Sequence, residues 1–100
     1  MTIAIKVYKS YRTVVTACDS ELLGKKFEEG IKQLDVRENF YKGEEVSEDE
    51  AIKVMEFQLR EDATYNIIGE KAINAAMKAG AITEEAVGKI AGIPFALKLL

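Results

Sequence analysis

The chain of 100 residues contains no histidine and no tryptophan, a single cysteine and a single proline. Without histidine there is no imidazole to move protons near neutral pH. There is also no Cys/His or Ser/His dyad, and none of the ring-nitrogen ligands that most zinc sites use. With Cys18 alone, no intrachain disulfide can form, which points to a reducing cytoplasm. One proline and seven glycines exclude collagen-like or low-complexity architecture. No apolar run reaches the roughly 18 residues of a membrane-spanning helix, so no membrane role is expected. Met1 to Val7 carries Lys6 inside an alternating apolar run and lacks the basic opening and long apolar middle of a secretory leader, an expectation against export.

What is present suits one domain, residues 1–100: 48% hydrophobic residues can bury a core, and two halves would each be too small to do so. Fourteen basic against seventeen acidic residues give a net charge of −3, which is not the broad positive field of a typical nucleic-acid binder. The charge is uneven, however. Residues 1–43 hold eight Lys/Arg and six Asp/Glu, net +2, whereas residues 44–100 hold six and eleven, net −5. A modest basic face is therefore expected on the first half.

Ile3, Ile5 and Val7 alternate with Ala4, Lys6 and Tyr8, the period-two pattern of a strand with one buried face. Thr13 to Ala17 is rich in β-branched residues, and Lys9 to Arg12 provides a polar connection, so a hairpin is expected. Asp19 or Ser20 can cap a short helical turn that Gly24 would end. Phe27 to Gly30 reads as a linker, Ile31 to Val36 as a short strand and Phe40 to Gly43 as a turn. Ser47 followed by Glu50 is a capping box that starts a helix, with Ile52, Met55 and Leu59 on its apolar side. The acids Glu44, Glu45, Glu48, Asp49 and Glu50 lack the spacing of a calcium loop and read as a solvated helix start. A second helix is expected from Tyr65 to Ala79, closed by Gly80, and a third from Thr83 to Gly92. Phe95 to Leu100 can return as a strand, with Pro94 placing its start at an edge or outside the ladder. The fold class is α+β: a small antiparallel or mixed sheet from the N-terminal hairpin and a C-terminal strand, covered on one side by two to three helices.

Two groups of residues carry candidate chemistry. In Asn66 to Lys71, a helix would put Asn66 and Glu70 four apart on one face, and Gly69 would permit close approach of another element or a ligand. Asn66, Gly69, Glu70 and Lys71 are thus candidate ligand-binding residues; the plainer reading makes Asn66 a cap or buried hydrogen-bonder and Gly69 a packing contact. In the second group, Lys25 and Lys26 follow Gly24 without P-loop spacing, and can meet phosphates together with Lys9 and Arg12. Tyr11, with Tyr8 and Tyr41, can stack on unpaired bases. The plainer reading of these lysines is a solvated loop. Cys18, next to Asp19, is expected to be a packing residue with a raised thiol pKa. No catalytic set, metal site or cofactor is assigned.

Several segments together resemble an archaeal family of small uncharacterised proteins, domain of unknown function 424. The matching pieces are Cys18-Asp19, Glu21-Leu22-Leu23-Gly24-Lys25, Phe27, Glu29-Gly30, Phe40-Tyr41, Gly43, Asn66, Gly69-Glu70 and Gly92-Ile93-Pro94. They span nearly the whole chain. Phe95 and Leu97 depart from the pattern, standing where the family's histidine and glutamine are expected, so no role of that histidine carries over. The resemblance implies a small cytoplasmic archaeal protein loosely associated with translation or RNA, and it names no reaction.

Three functions follow as expectations. The first is a non-enzymatic module binding RNA or a ribonucleoprotein through Lys9, Arg12, Lys25 and Lys26 with tyrosine assistance. The second is an adaptor whose acidic second half docks a basic protein partner. The third is a small-molecule site or enzyme around Asn66, Glu70 and Lys71. Oligomeric state is not legible.

Overall fold

The computed structural model describes residues 2–99. The chain forms β1 (Ile3–Lys9), β2 (Thr13–Asp19), a 3-10 turn (Ser20–Leu22), β3 (Lys26–Glu29), β4 (Lys32–Asp35), α1 (Glu38–Tyr41) and β5 (Glu44–Val46). It continues with α2 (Glu48–Gln58), a second 3-10 turn (Leu59–Glu61), β6 (Thr64–Ile68), α3 (Glu70–Ala79), a third 3-10 turn (Glu84–Ala86), β7 (Gly88–Ile90) and β8 (Ile93–Lys98). Six strands make a mixed sheet in the order β5-β1-β2-β6-β8-β7, and β3 and β4 make a separate two-stranded sheet. Among the described residues only β2 and β6 pair in parallel; the other neighbours are antiparallel. A parallel pair requires a crossover, and the segment between these two strands supplies it, carrying α2 across one face. The α+β class is as expected.

Strand alternation sorts the sheet into two faces. On the first, Ile3, Ile5, Val15, Ala17, Tyr65, Ile67 and Ala96 pack with Ala51 and Met55 of α2 and with Ala72, Ile73, Ala75, Ala76 and Ala79 of α3. The alanine stripe lets α3 lie close to the strands, and Gly80, at φ +79°, closes the helix in the left-handed conformation glycine favours. The Ser47 capping box forms: the Glu50 N–H donates to Ser47 Oγ at 3.2 Å, and the Ser47 N–H donates to Glu50 Oε1 at 3.4 Å. The expected cover on one side is therefore present. The opposite face carries a second, partial layer built from the first 3-10 turn, β3, β4 and α1, around Ala4, Cys18, Leu22, Leu34, Val36, Tyr41, Ile68 and Ile90.

Several expectations are corrected. Residues 65–68 of the expected Tyr65–Ala79 helix are β6. Its run Thr64-Tyr65-Asn66-Ile67-Ile68 is mostly β-branched or aromatic and has cover on both faces, so neither a two-residue nor a 3.6-residue period marks it. Parallel pairing with β2 (Val14–Thr64 to Cys18–Ile68) decides the matter, together with burial of Tyr65, whose hydroxyl donates to the Met55 carbonyl at 2.9 Å. The expected linker Phe27–Gly30 overlaps β3, Lys26–Glu29, which pairs with β4. The expected turn at Phe40 is the end of α1. Glu44 and Glu45 lie in β5, where they pair with Ile5 and Ala4, and not in a helix start. The third helix is a single 3-10 turn ending at Ala86, after which β7 hairpins onto β8. Strand β8 lies inside the sheet, yet Pro94 falls where its missing N–H costs little. Its carbonyl accepts from Gly69 N–H at 2.9 Å, beyond the last β6–β8 pair, Ile68–Phe95, and its own nitrogen points the same way. Leu100, the last residue of the expected C-terminal strand, and Met1, which opens the N-terminal apolar pattern, lie outside the described residues.

Because Ala76 is fully buried where α3 meets the sheet, Ala76→Leu is expected to destabilise the fold by about 1–3 kcal/mol through overpacking. Denaturant unfolding checks this: the midpoint should fall at unchanged slope, and an unshifted midpoint would mean the helix does not lie on the sheet as described.

Candidate nucleic-acid interface

The partial layer on the second face covers only one end of it. One row across the sheet, Ala4–Cys18–Ile68–Phe95, lies under that layer. In the next row on the same face, Lys6–Thr16–Asn66–Leu97, Thr16 is buried, Lys6 and Asn66 are half-buried and Leu97 is 53% exposed. The third row is Tyr8–Val14–Thr64. Helix α1 bridges the border. The Phe40 carbonyl accepts from Tyr8 Oη at 2.6 Å and from Thr16 Oγ1 at 3.4 Å, which pins the helix to β1 and β2.

The pinning creates an aromatic group. Tyr8 and Phe40 stack with centroids 5.6 Å apart and planes 18° apart, and Tyr41 meets Phe40 edge-on at 5.1 Å. Lys6 Nζ lies 4.6 Å from the Tyr8 ring centre, a cation–π contact. Beside the rings opens a cavity of about 530 Å³ lined by Tyr8, Asp35, Arg37, Asn39, Phe40 and Tyr41. Burial, with a smaller contribution from Cys18, pushes the Tyr41 hydroxyl up to about 12, so it stays protonated at neutral pH.

The candidate cations Lys9, Arg12, Lys25 and Lys26 are not among the residues that line this cavity. Lys9, Tyr11 and Arg12 form the tip of the β1–β2 hairpin just past Tyr8; all three are exposed, Tyr11 completely. Lys26 faces Asp35 across the β3–β4 pair, and the Lys25 carbonyl accepts from Val36 N–H beside Arg37. Asp35 and Arg37 approach each other at 3.9 Å with both side chains largely in solvent, a weak pair. The first eighteen residues hold Lys6, Lys9 and Arg12 and no acid. The sequence marks Tyr8 and Tyr41 as stacking candidates, but not the Tyr8–Phe40 pair, nor Arg37 and Asp35; only the Phe40-Tyr41 run hints at that pair.

The other candidate group is divided. Asn66 is half-buried on the second face between Thr16 and Leu97, whereas Glu70 and Lys71 begin α3 on the opposite side of the sheet. The four-residue spacing on one helix, which motivated a joint Asn66/Glu70 site, does not exist. Gly69 is a structural requirement. At φ +108° it precedes α3, and a Cβ there would lie 2.7 and 2.8 Å from the two carboxyl oxygens of Asp19. Those oxygens are engaged: Ala72 N–H donates to Oδ1 at 2.9 Å and Lys71 N–H to Oδ2 at 3.2 Å. Asp19 thus caps α3 from a strand 52 and 53 residues before the two amides it accepts. Burial pushes its carboxyl pKa up, against the lowering by the Ala72 and Lys71 amides. Nearby, a hollow of about 450 Å³ is lined by Asp19, Glu21, Glu48, Glu70, Lys71 and Asn74. Among the described residues no group of three or more carboxylate or thiol side chains is arranged to hold a metal ion. Phe95 closes the buried row against Gly88, where an added Cβ would come within 3.0 Å of its ring.

Comparison with known proteins bears on the fold. The family profile described as "Protein of unknown function (DUF424)" matches residues 8–99. An uncharacterized conserved protein from Methanopyrus kandleri, known from a crystal structure, is similar over 97% of this chain and 90% of its own, with a TM-score of 0.87 and 24% sequence identity. No curated protein matches. No helix among the described residues is long and apolar enough to cross a membrane.

Asp19→Ala should cost about 1–3 kcal/mol, since two helix-end amides lose their acceptor, and Asp19→Asn should cost less because one acceptor oxygen is kept. Gly69→Ala should cost at least about 1–3 kcal/mol for its left-handed backbone alone. Equal denaturation midpoints for wild type and these variants would contradict the cap. Cys18, fully buried, has its thiol pushed up to about 12 by burial first and by the charges of Asp19 and Glu21 next. It should react with a thiol reagent only after unfolding. Between about pH 9 and 12 the unfolded chain releases this proton while the folded one keeps it, so stability should fall as pH rises, less so in Cys18→Ala.

Proposed function

We propose that this chain, which belongs to the family of proteins of unknown function DUF424, is a non-enzymatic module that binds single-stranded RNA, free or within a ribonucleoprotein, in the cytoplasm. The observation that carries the reading is the hairpin tip. Tyr11 stands fully exposed between Lys9 and Arg12, in a stretch without acids, and leads directly to the Tyr8–Phe40 stack and its cavity. Exposed aromatic rings beside cations are what single strands require, since bases stack on the rings while phosphates meet the cations. Lys26 stands opposite Asp35 across the β3–β4 pair, with Lys25 beside it, and both are exposed and able to meet further phosphates. The net charge of −3 argues against a protein coated in nucleic acid, but a local patch suffices for a short strand.

Binding of a short labelled single-stranded RNA by fluorescence anisotropy, over a salt series, tests this. The logarithm of the affinity should fall linearly with that of salt concentration. Replacing Lys9 and Arg12 together by Ala should reduce the slope by about 1.4, corresponding to two phosphates at roughly 0.7 each. Tyr11→Ala should weaken binding by about 1–3 kcal/mol with the slope unchanged. No binding at low salt, or a slope indifferent to the double substitution, overturns the reading. A complex with a basic protein that Glu48 and Asp49 charge reversal breaks, without RNA binding, would favour the acidic half as an adaptor instead.

A further inference from the structure

We infer that the cavity beside Tyr8 seats one unstacked guanine base, a deepening that rests on the RNA reading above. Its volume of about 530 Å³ falls in the range of roughly 300–1,000 Å³ typical of small-ligand clefts. One wall is aromatic. Phe40 covers one face of Tyr8 and Lys6 lies over the ring as well, so the surface left for a base is that of Phe40, which is 37% exposed. A base laid on Phe40 extends the existing two-ring stack.

The polar wall selects the base. Asp35 places a carboxylate in the cavity wall, 3.9 Å from Arg37, and its side chain is 49% exposed. A carboxylate repels phosphate and offers two adjacent acceptors. Guanine alone among the four RNA bases presents two adjacent donors, N1–H and N2–H, on its Watson–Crick edge. Adenine and cytosine put a ring acceptor next to their amino group, and uracil flanks its single N–H with carbonyls. Asp35 therefore matches guanine and disfavours the others. Asn39 supplies an amide donor for O6, and Arg37, 73% exposed, is free to meet the phosphate of the same nucleotide.

The test compares affinities of the full chain for oligouridine strands carrying one central guanosine, inosine, adenosine or uridine, in wild type and Asp35→Asn. Guanosine should bind about tenfold tighter than adenosine or uridine, the discrimination expected of a bidentate contact. Inosine, which lacks the N2 amino group, should fall between. Asp35→Asn should erase the guanosine preference, so that the four strands bind that variant alike. Salt-sensitive binding with no base preference, or a preference that survives Asp35→Asn, overturns the guanine seat and leaves the RNA reading standing. Absence of binding to every strand overturns both. Guanosine monophosphate added alone should compete weakly; if it binds more tightly than the strand, the ligand is a free nucleotide and the inference fails.

Discussion

The buried Asp19 carboxylate is the joint on which this fold turns. It ends β2, and its two oxygens accept the Lys71 and Ala72 amides of α3, so one side chain ties the N-terminal hairpin to the second half of the chain. The two partners need each other. A helix N-terminus leaves amides without acceptors, and a carboxylate taken out of water needs donors and positive potential. Gly69 makes the approach possible, because any side chain there would occupy the space of the carboxyl group. The joint also holds register: slipping β2 by one residue would turn Asp19 to the other face, away from the α3 amides.

This arrangement divides the molecule into a settled half and an available half. The first face is closed by α2 and α3, and the far end of the second face by the small sheet and α1. The end of the parallel strands, where open α/β sheets commonly bind ligands, is taken up by the protein's own carboxylate. What remains open is the hairpin end of the second face. There the Phe40 carbonyl, bonded to Tyr8 and Thr16, holds α1 against the sheet, and Tyr8, Phe40, Tyr41 and Arg37 line one cavity.

The features legible in the sequence are those encoded locally. The hairpin followed from alternation, the start of α2 from Ser47 and Glu50, and the end of α3 from Gly80. The features that were not legible depend on partners far away in the chain. Strand β6 reads like a helix until β2 is beside it. Strands β3, β5 and β7 are three or four residues long, too short to show a period, and exist because neighbours supply their hydrogen bonds. The same reason explains the sites. Lys9, Tyr11, Arg12, Lys25 and Lys26 could be named from residue type, but that Lys26 pairs with Asp35, beside the cavity that Tyr8 also lines, is a product of the fold. Asn66 and Glu70 were joined by a helical spacing that β6 removes. Gly69 was read correctly as a point of close approach, with a side chain of the chain itself as the visitor.

The central claim is that the Asp19 joint is structural and the working surface lies at the hairpin end of the second face. Backbone amide shifts followed by NMR during titration with a short guanine-containing RNA strand test it most directly. The account predicts movement confined to residues 6–12, 25–26 and 35–41, with the Lys71 and Ala72 amides unmoved. Shifts centred on residues 69–74 instead would contradict it.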